Sequence, residues 1–198
     1  MTIKLFGRWE TADIKVADAG LIDFINIRPV YVPRTGARYA KNRFHKSKTP
    51  IVERFMNKLM VAGHKGKKHR ISSYTNTGKA MQTYRIVENM LKIIEQKTKN
   101  NPVSVLVKAV ENAAPREEIV SIEYGGARYP KAVDCAPQRR VDVALRYMVQ
   151  GAYSKSFNTK RKVEETLAEE VMNAATSNSA SNAVARKLEI ERQADASR

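Results

Sequence analysis

Apolar residues recur at helical spacing along most of the chain. Ile51, Val52, Phe55, Met56, Leu59 and Met60 form one stripe behind Thr49-Pro50, a capping hydroxyl followed by proline at a first turn. Gly63 ends that helix. Met81, Ile86, Val87, Met90, Leu91 and Ile94 predict a second helix from about Gly78 to Lys97. Asn101-Pro102 repeats the cap-and-proline device before Val103, Leu106, Val107, Val110 and Ala113, and Pro115 stops that helix. Val141, Leu145, Met148, Val149 and Ala152 share one face from Gln138 to about Lys155. Thr159 is placed to cap a helix carrying Val163, Leu167, Val171, Ala174 and Ala175. A polar stretch from Ser177 to Asn182 then precedes an amphipathic segment around Val184, Leu188 and Ile190. Near the amino terminus, Asp18 can cap a short helix from Ala19 to Ile27.

Between Arg116 and Arg146 the period changes. Val120, Ile122 and Tyr124 alternate with polar residues, the spacing of a strand, and Gly125-Gly126 supplies two positive-φ positions for a tight turn. The prediction is a mainly α fold, a single helical domain of five or more helices with one protruding β-hairpin. The hairpin spans about residues 118–135 inside a helical domain of residues 49–198, and residues 1–48 form an extended N-terminal arm. A lone hairpin is marginal in water, so it should lie against something. The chain's 198 residues suffice for one such domain with a core.

Charge changes the picture most. The net charge is +16, and a polyanionic partner would relieve the self-repulsion this implies. From Arg34 through Val87 fourteen Lys/Arg accompany one acid, Glu53, whereas the first 33 residues carry Glu10, Asp13, Asp18 and Asp23. Such clustering is the footprint of a nucleic-acid face. Tyr39, Phe44 and Tyr74 are interleaved with it, and each ring suits base stacking or packing onto the next helix. An anionic membrane is the weaker partner: no run approaches the 18 or so apolar residues of a span. The amino terminus has no apolar core of signal-peptide length, and one cysteine, Cys135, fits a reducing compartment and a small semi-buried strand residue. A soluble intracellular protein is expected.

Other chemistries find little support. His45, His64, His69 and Cys135 lack zinc-ligand spacing, so no metal or cofactor is expected. Gly63-His64-Lys65-Gly66 matches the nucleotide-clamping loop of KH domains, but the strands of that fold are missing. Gly66-Lys67-Lys68 fails the P-loop pattern. Glu117/Glu118 lie at a strand entrance, and Glu164, Glu165, Glu169 and Glu170 read as a helix start and its exposed side. No nucleophile–base–orienter set emerges, so no enzyme is expected. Arg139-Arg140 open an amphipathic helix on the side away from its apolar stripe, and Arg146 returns to that face. Their guanidinium groups should be free for phosphate, with Arg128 and Lys131 extending the surface. The candidate RNA-binding set is Arg34, Arg38, Lys41, Arg43, Lys46, Lys48, Lys65, Lys67, Lys68, Arg70, Lys79, Arg116, Arg128, Lys131, Arg139, Arg140 and Arg146.

Several runs carry a resemblance. Gly125-Gly126-Ala127-Arg128-Tyr129, Val133-Asp134, Pro137-Gln138-Arg139-Arg140-Val141 and Glu164 through Ala175 resemble the small-subunit ribosomal protein S-seven family. Lys4 through Trp9, Arg38-Tyr39-Ala40, Thr49 through Arg54, and Asn101-Pro102 through Glu117 are similar to its archaeal and eukaryotic branch. The resemblance covers almost the whole chain in order. It implies a non-enzymatic protein that binds rRNA of the small-subunit head, the 3′ major domain, and helps nucleate head assembly. It also implies a hairpin near the exit tRNA site and the mRNA path. Neighbouring ribosomal proteins of the head and platform are the other expected partners, with no membrane and no homo-oligomer. The expected location is the cytoplasmic ribosome, with nucleolar assembly in a eukaryote. Two features depart from the family: Glu123-Tyr124 stands where members often carry arginines, and the final helix has few cations, Arg186-Lys187 and Arg192. The residues alone leave a catalytic RNA-processing factor and a free mRNA-binding regulator as rivals.

Overall fold

The computed structural model describes residues 3–62 and 76–198. A 3₁₀ helix, Ala19–Phe24, precedes α1 (His45–Lys48), α2 (Ile51–Met60), α3 (Ala80–Thr98) and α4 (Pro102–Ala113). Strands β1 (Glu117–Tyr124) and β2 (Ala127–Asp134) follow, then α5 (Pro137–Ser156), α6 (Val163–Ala175) and α7 (Asn182–Asp195). The predicted mainly α architecture with one hairpin is what the described residues form.

Helix α6 is central, packed against α3, α4 and α5. Leu167, Ala168, Val171 and Ala174 on it are fully buried with Met90, Leu91, Ile94, Leu106, Leu145 and Met148. Burial of each large apolar side chain stabilises the fold by about 1.5–3 kcal/mol. Gly151 lets α5 approach its neighbours: a Cβ there would lie 2.7 Å from Asn182 Cβ and 3.1 Å from Glu170 Cδ. Glu170, expected on an exposed side, is fully buried. It accepts from Lys155 Nζ (2.9 Å), Ser181 Oγ (2.8 Å) and the Ala183 amide (3.1 Å), so one carboxylate ties α5, α6 and the start of α7 together.

Capping residues divide by their surroundings. Asn101 accepts from the Val103 amide at 3.0 Å and Asp18 from the Gly20 amide at 2.9 Å, each opening its predicted helix. Thr49 and Thr159 do not cap the helices after them. Thr49 Oγ1 donates back to the His45 carbonyl (3.3 Å), and Thr159 Oγ1 donates to the Lys155 and Ser156 carbonyls, finishing α5 instead of starting α6. A hydroxyl one to three residues past a helix end finds those carbonyls first. Met81 and Leu188, expected to face inward, are exposed, because α3 first meets the core at Thr83 and α7 buries Ala183, Val184 and Ala194.

The expected arm splits into two parts. Leu5, Trp9, Leu21 and Ile25 are buried in the main core, with Phe6 edge-on to Trp9 and Tyr84. From Arg28 to Lys48 the chain is mostly exposed, with Pro33 buried, and Arg34, Arg38, Lys41, Arg43 and Lys48 all lie on the surface.

Candidate nucleic-acid interface

The arm is fastened by the single acid of the basic stretch. Glu53 on α2 is buried and accepts the Thr35 amide at 2.9 Å and the Thr35 hydroxyl at 2.8 Å. The hydrogen bonds of that carboxylate go to the arm's backbone and hydroxyl, and it forms no ion pair with the arm's described cations. Farther along, Lys46 Nζ donates to Asp142 of α5 at 2.7 Å. Arg54 donates to the same carboxylate at 3.2 Å and to the Phe24 carbonyl at 2.8 Å. Burial pushes the Asp142 carboxyl upward, but the hydrogen bonds and charges of Lys46 and Arg54 outweigh it and hold the group below its ordinary value. Burial pushes the nearby Lys58 amine down; the Asp142 charge opposes this, and the charges of Arg146, Lys46 and Arg54 add to it. A cavity of about 670 Å³ opens here between arm, α2 and α3, with Arg34, Lys46, Lys58 and Tyr84 in its wall. The arm and the α2–α5 surface thus form one cationic region around Asp142.

Outside that centre, Arg34, Arg38, Lys41, Arg43, Lys48 and Arg146 are exposed and have no carboxylate partner among the described residues. The Arg43 guanidinium stacks 5.1 Å above the Phe44 ring, which is itself exposed, as is Tyr39. Lys79, before α3, is exposed as well. Lys65, Lys67, Lys68, Arg70, His64, His69, Tyr74 and the Gly63–Gly66 pattern lie outside the described residues.

The hairpin end is organised differently. β1 and β2 pair antiparallel with Glu117 opposite Asp134 and Tyr124 opposite Ala127, and Gly125 and Gly126 turn at φ +59° and +81°. Its base rests on α7, which supplies the support the isolated hairpin needed. The Arg116 amide donates to Glu191 of α7 at 3.0 Å, and the Arg116 carbonyl accepts the Cys135 amide at 2.8 Å. Cys135 is buried, and burial together with the Glu118 charge pushes its thiol up to about 11, so it stays protonated at neutral pH. Beyond the base the hairpin is exposed from Val120 through Lys131.

The expectation that Arg139 and Arg140 are both free is corrected. Arg140, with a side chain only 11% exposed, donates to Asp18 at 2.7 Å and to the Pro115 carbonyl at 3.1 Å. It is a clamp between the amino-terminal segment, the hairpin entrance and α5. Arg139 donates twice to Glu118 Oε2, at 2.9 and 2.6 Å, while remaining half exposed. The reason is tertiary: the first turn of α5 faces Glu118 of β1 and Asp18, 122 residues earlier. Arg128 lies 3.6 Å from Glu123 with both side chains exposed, a weak pairing. Arg116 and Lys131 project into solvent. Arg54, counted with the basic stretch, is buried.

Three participants were missed in the sequence. Lys58 stands one turn after Arg54, a spacing that puts both on one side of α2. Asp142 organises the cationic centre, and Arg198 pairs with Glu117 through two contacts. Nothing local signals the contacts that matter for these two, Asp142 with Lys46 and Arg54 and Arg198 with Glu117, which span 81 to 96 positions; Arg198 also lies 3.5 Å from Asp195, three residues before it.

Among the described residues no group of three or more His, Cys, Asp or Glu is placed to hold a metal ion. No described helix is long and apolar enough to cross a membrane. The family model described as "Ribosomal protein S7p/S5e" matches residues 24–198. The chain is 54% identical over 198 residues, all of both chains, to "Small ribosomal subunit protein uS7" of Nanoarchaeum equitans. It is 45% identical over 196 residues to the protein of the same name from Methanothrix thermoacetophila, covering 99% of this chain and 100% of that one. With the family model spanning residues 24–198 and relatives matching over the full length, the chain belongs to the ribosomal protein S7p/S5e family, whose members are structural proteins of the small ribosomal subunit and not enzymes.

Proposed function

We propose that this protein binds small-subunit rRNA in the head, helps nucleate folding of the 3′ major domain, and carries its hairpin toward exit-site tRNA and mRNA. The observation that carries the RNA reading is the arm. Arg34, Arg38, Lys41, Arg43 and Lys48 are exposed and form no ion pair with a described carboxylate, and Lys46–Asp142 joins them to Arg146 on α5. Such a surface suits phosphates from several RNA helices, where contacts fix register without reading sequence. The relatives' names support the small subunit as the setting, and their archaeal sources support the cytoplasm. Neighbouring ribosomal proteins of the head and platform would meet the remaining surface.

Sedimentation and salt titration test this. The protein should co-sediment with small subunits at about one copy each through a moderate salt wash. If about six phosphates are engaged, log affinity for a head-domain rRNA fragment should fall with log salt at a slope of roughly −4 to −5. A slope near zero, or loss of the protein in the wash, would sink the reading.

A further inference from the structure

Every glutamate on β1 holds an arginine. Glu118 accepts both bonds from Arg139 of α5, and Glu117 accepts Arg198 beyond α7. Near the turn, Glu123 faces Arg128 of β2 at 3.6 Å. Successive strand residues point to opposite faces, so Glu117 and Glu118 act on both sides of the hairpin at once. The contrast is with the arm beyond Ile27, where Arg34, Arg38, Lys41, Arg43 and Lys48 are exposed and form no ion pair with a described carboxylate.

We infer that Glu117, Glu118 and Glu123 are specificity-determining residues that occupy Arg198, Arg139 and Arg128 until an RNA offers phosphates to all three together. This rests on the rRNA reading above. Each of the three arginine side chains is more than half exposed, so phosphate can reach it and compete with a pair that solvent already weakens, and guanidinium takes phosphate in a two-pronged contact as readily as carboxylate. A stray polyanion that reaches one of these arginines must displace a carboxylate and then lies beside the repelling group it displaced. An RNA that also fills the arm, and reaches all three sites, offsets that cost. Discrimination arises from repulsion of the wrong partner as much as from attraction of the right one.

The test uses the full chain carrying Glu117→Gln, Glu118→Gln and Glu123→Gln. A control carries Asp13→Asn, Asp23→Asn and Glu95→Gln, the same charge change at exposed acids with no described arginine partner. Affinities are measured across a salt series for a head-domain rRNA fragment and for an unrelated duplex RNA of equal length. The β1 variant should bind the unrelated RNA about tenfold more tightly and the head fragment about twofold more tightly. Its salt slope on the unrelated RNA should steepen by about 2–3. The control should shift both RNAs by one common factor. Glu118→Gln alone, which leaves the Glu117–Arg198 pair in place, should show about a threefold share of the gain. Equal behaviour of the β1 variant and the control would overturn the inference, with wild-type preference for the head fragment still supporting the rRNA reading. Wild-type protein with no preference at any salt would overturn both.

Discussion

The arm and the hairpin end carry similar numbers of cations but hold them in opposite ways. Around the arm, one acid is spent on the Thr35 backbone and another, Asp142, is shared by Lys46 and Arg54. The remaining side chains face solvent. At the hairpin end, Arg128, Arg139, Arg140 and Arg198 each have a carboxylate, and Arg140 is almost wholly enclosed. Counting Lys and Arg therefore overstates what the hairpin end can offer a phosphate. Available charge depends on which acids fold against which bases, and the two regions differ most in that respect.

The largest effect should come from breaking the anchor beneath the arm. Asp142→Ala leaves the buried Arg54 guanidinium without its counter-charge, and such a loss costs about 3–5 kcal/mol. Chemical denaturation should show a lower midpoint with an unchanged slope. A wild-type midpoint would mean that the Phe24 carbonyl suffices for Arg54.

Next comes the arm itself. Changing Arg34, Arg38, Lys41 and Arg43 to Ala should weaken rRNA binding by roughly a hundredfold and flatten the salt slope by about 3–4. Thermal stability should hardly move, since all four side chains are exposed. An unchanged slope would transfer the electrostatic role away from this region.

The two neighbouring arginines sharpen the contrast within the hairpin end. Arg140→Ala should cost about 1–3 kcal/mol in stability, because Asp18 and the Pro115 carbonyl lose a charged donor. Arg139→Ala should cost less than about 1 kcal/mol, as expected for a half-exposed pair. Equal costs would contradict the clamp assigned to Arg140.

The smallest effect is pH dependence. At Asp18, as at Asp142, burial raises the carboxyl's pKa, but the Arg140 and Gly20 hydrogen bonds and nearby arginine charges outweigh it and leave the net value lowered. Both carboxyls therefore titrate below their ordinary value of 3.8 in the folded chain. Their contribution is fully present above that value and is lost as pH falls through the folded pKa. Melting temperature should be nearly level from about pH 5 to 7 and decline below about pH 4. Asp142→Asn should flatten that decline, and an identical acid limb in this variant would remove Asp142 as a cause.

Local signals in the chain were readable where chemistry and partner lie within a few residues. Asn101-Pro102 and Asp18 open helices as their spacing suggests, and Gly125-Gly126 makes the turn. Thr49 and Thr159 misled because a hydroxyl can serve the helix before it as easily as the one after. The basic arm was legible because its cations stay in solvent, where composition is a fair guide to exposure.

Glu170, Arg140 and Glu118 were not legible, since acid–base partners chosen by folding leave no periodic trace. The helical periods, the hairpin turn and the excess of positive charge follow from the order of residues alone, because hydrophobic spacing and backbone freedom act over short stretches. Which arginines remain available to a phosphate was decided only by the packing of α5 and α7 against β1 and the amino-terminal segment. Coulomb attraction depends on distance through space, and the chain closes those distances only when it folds.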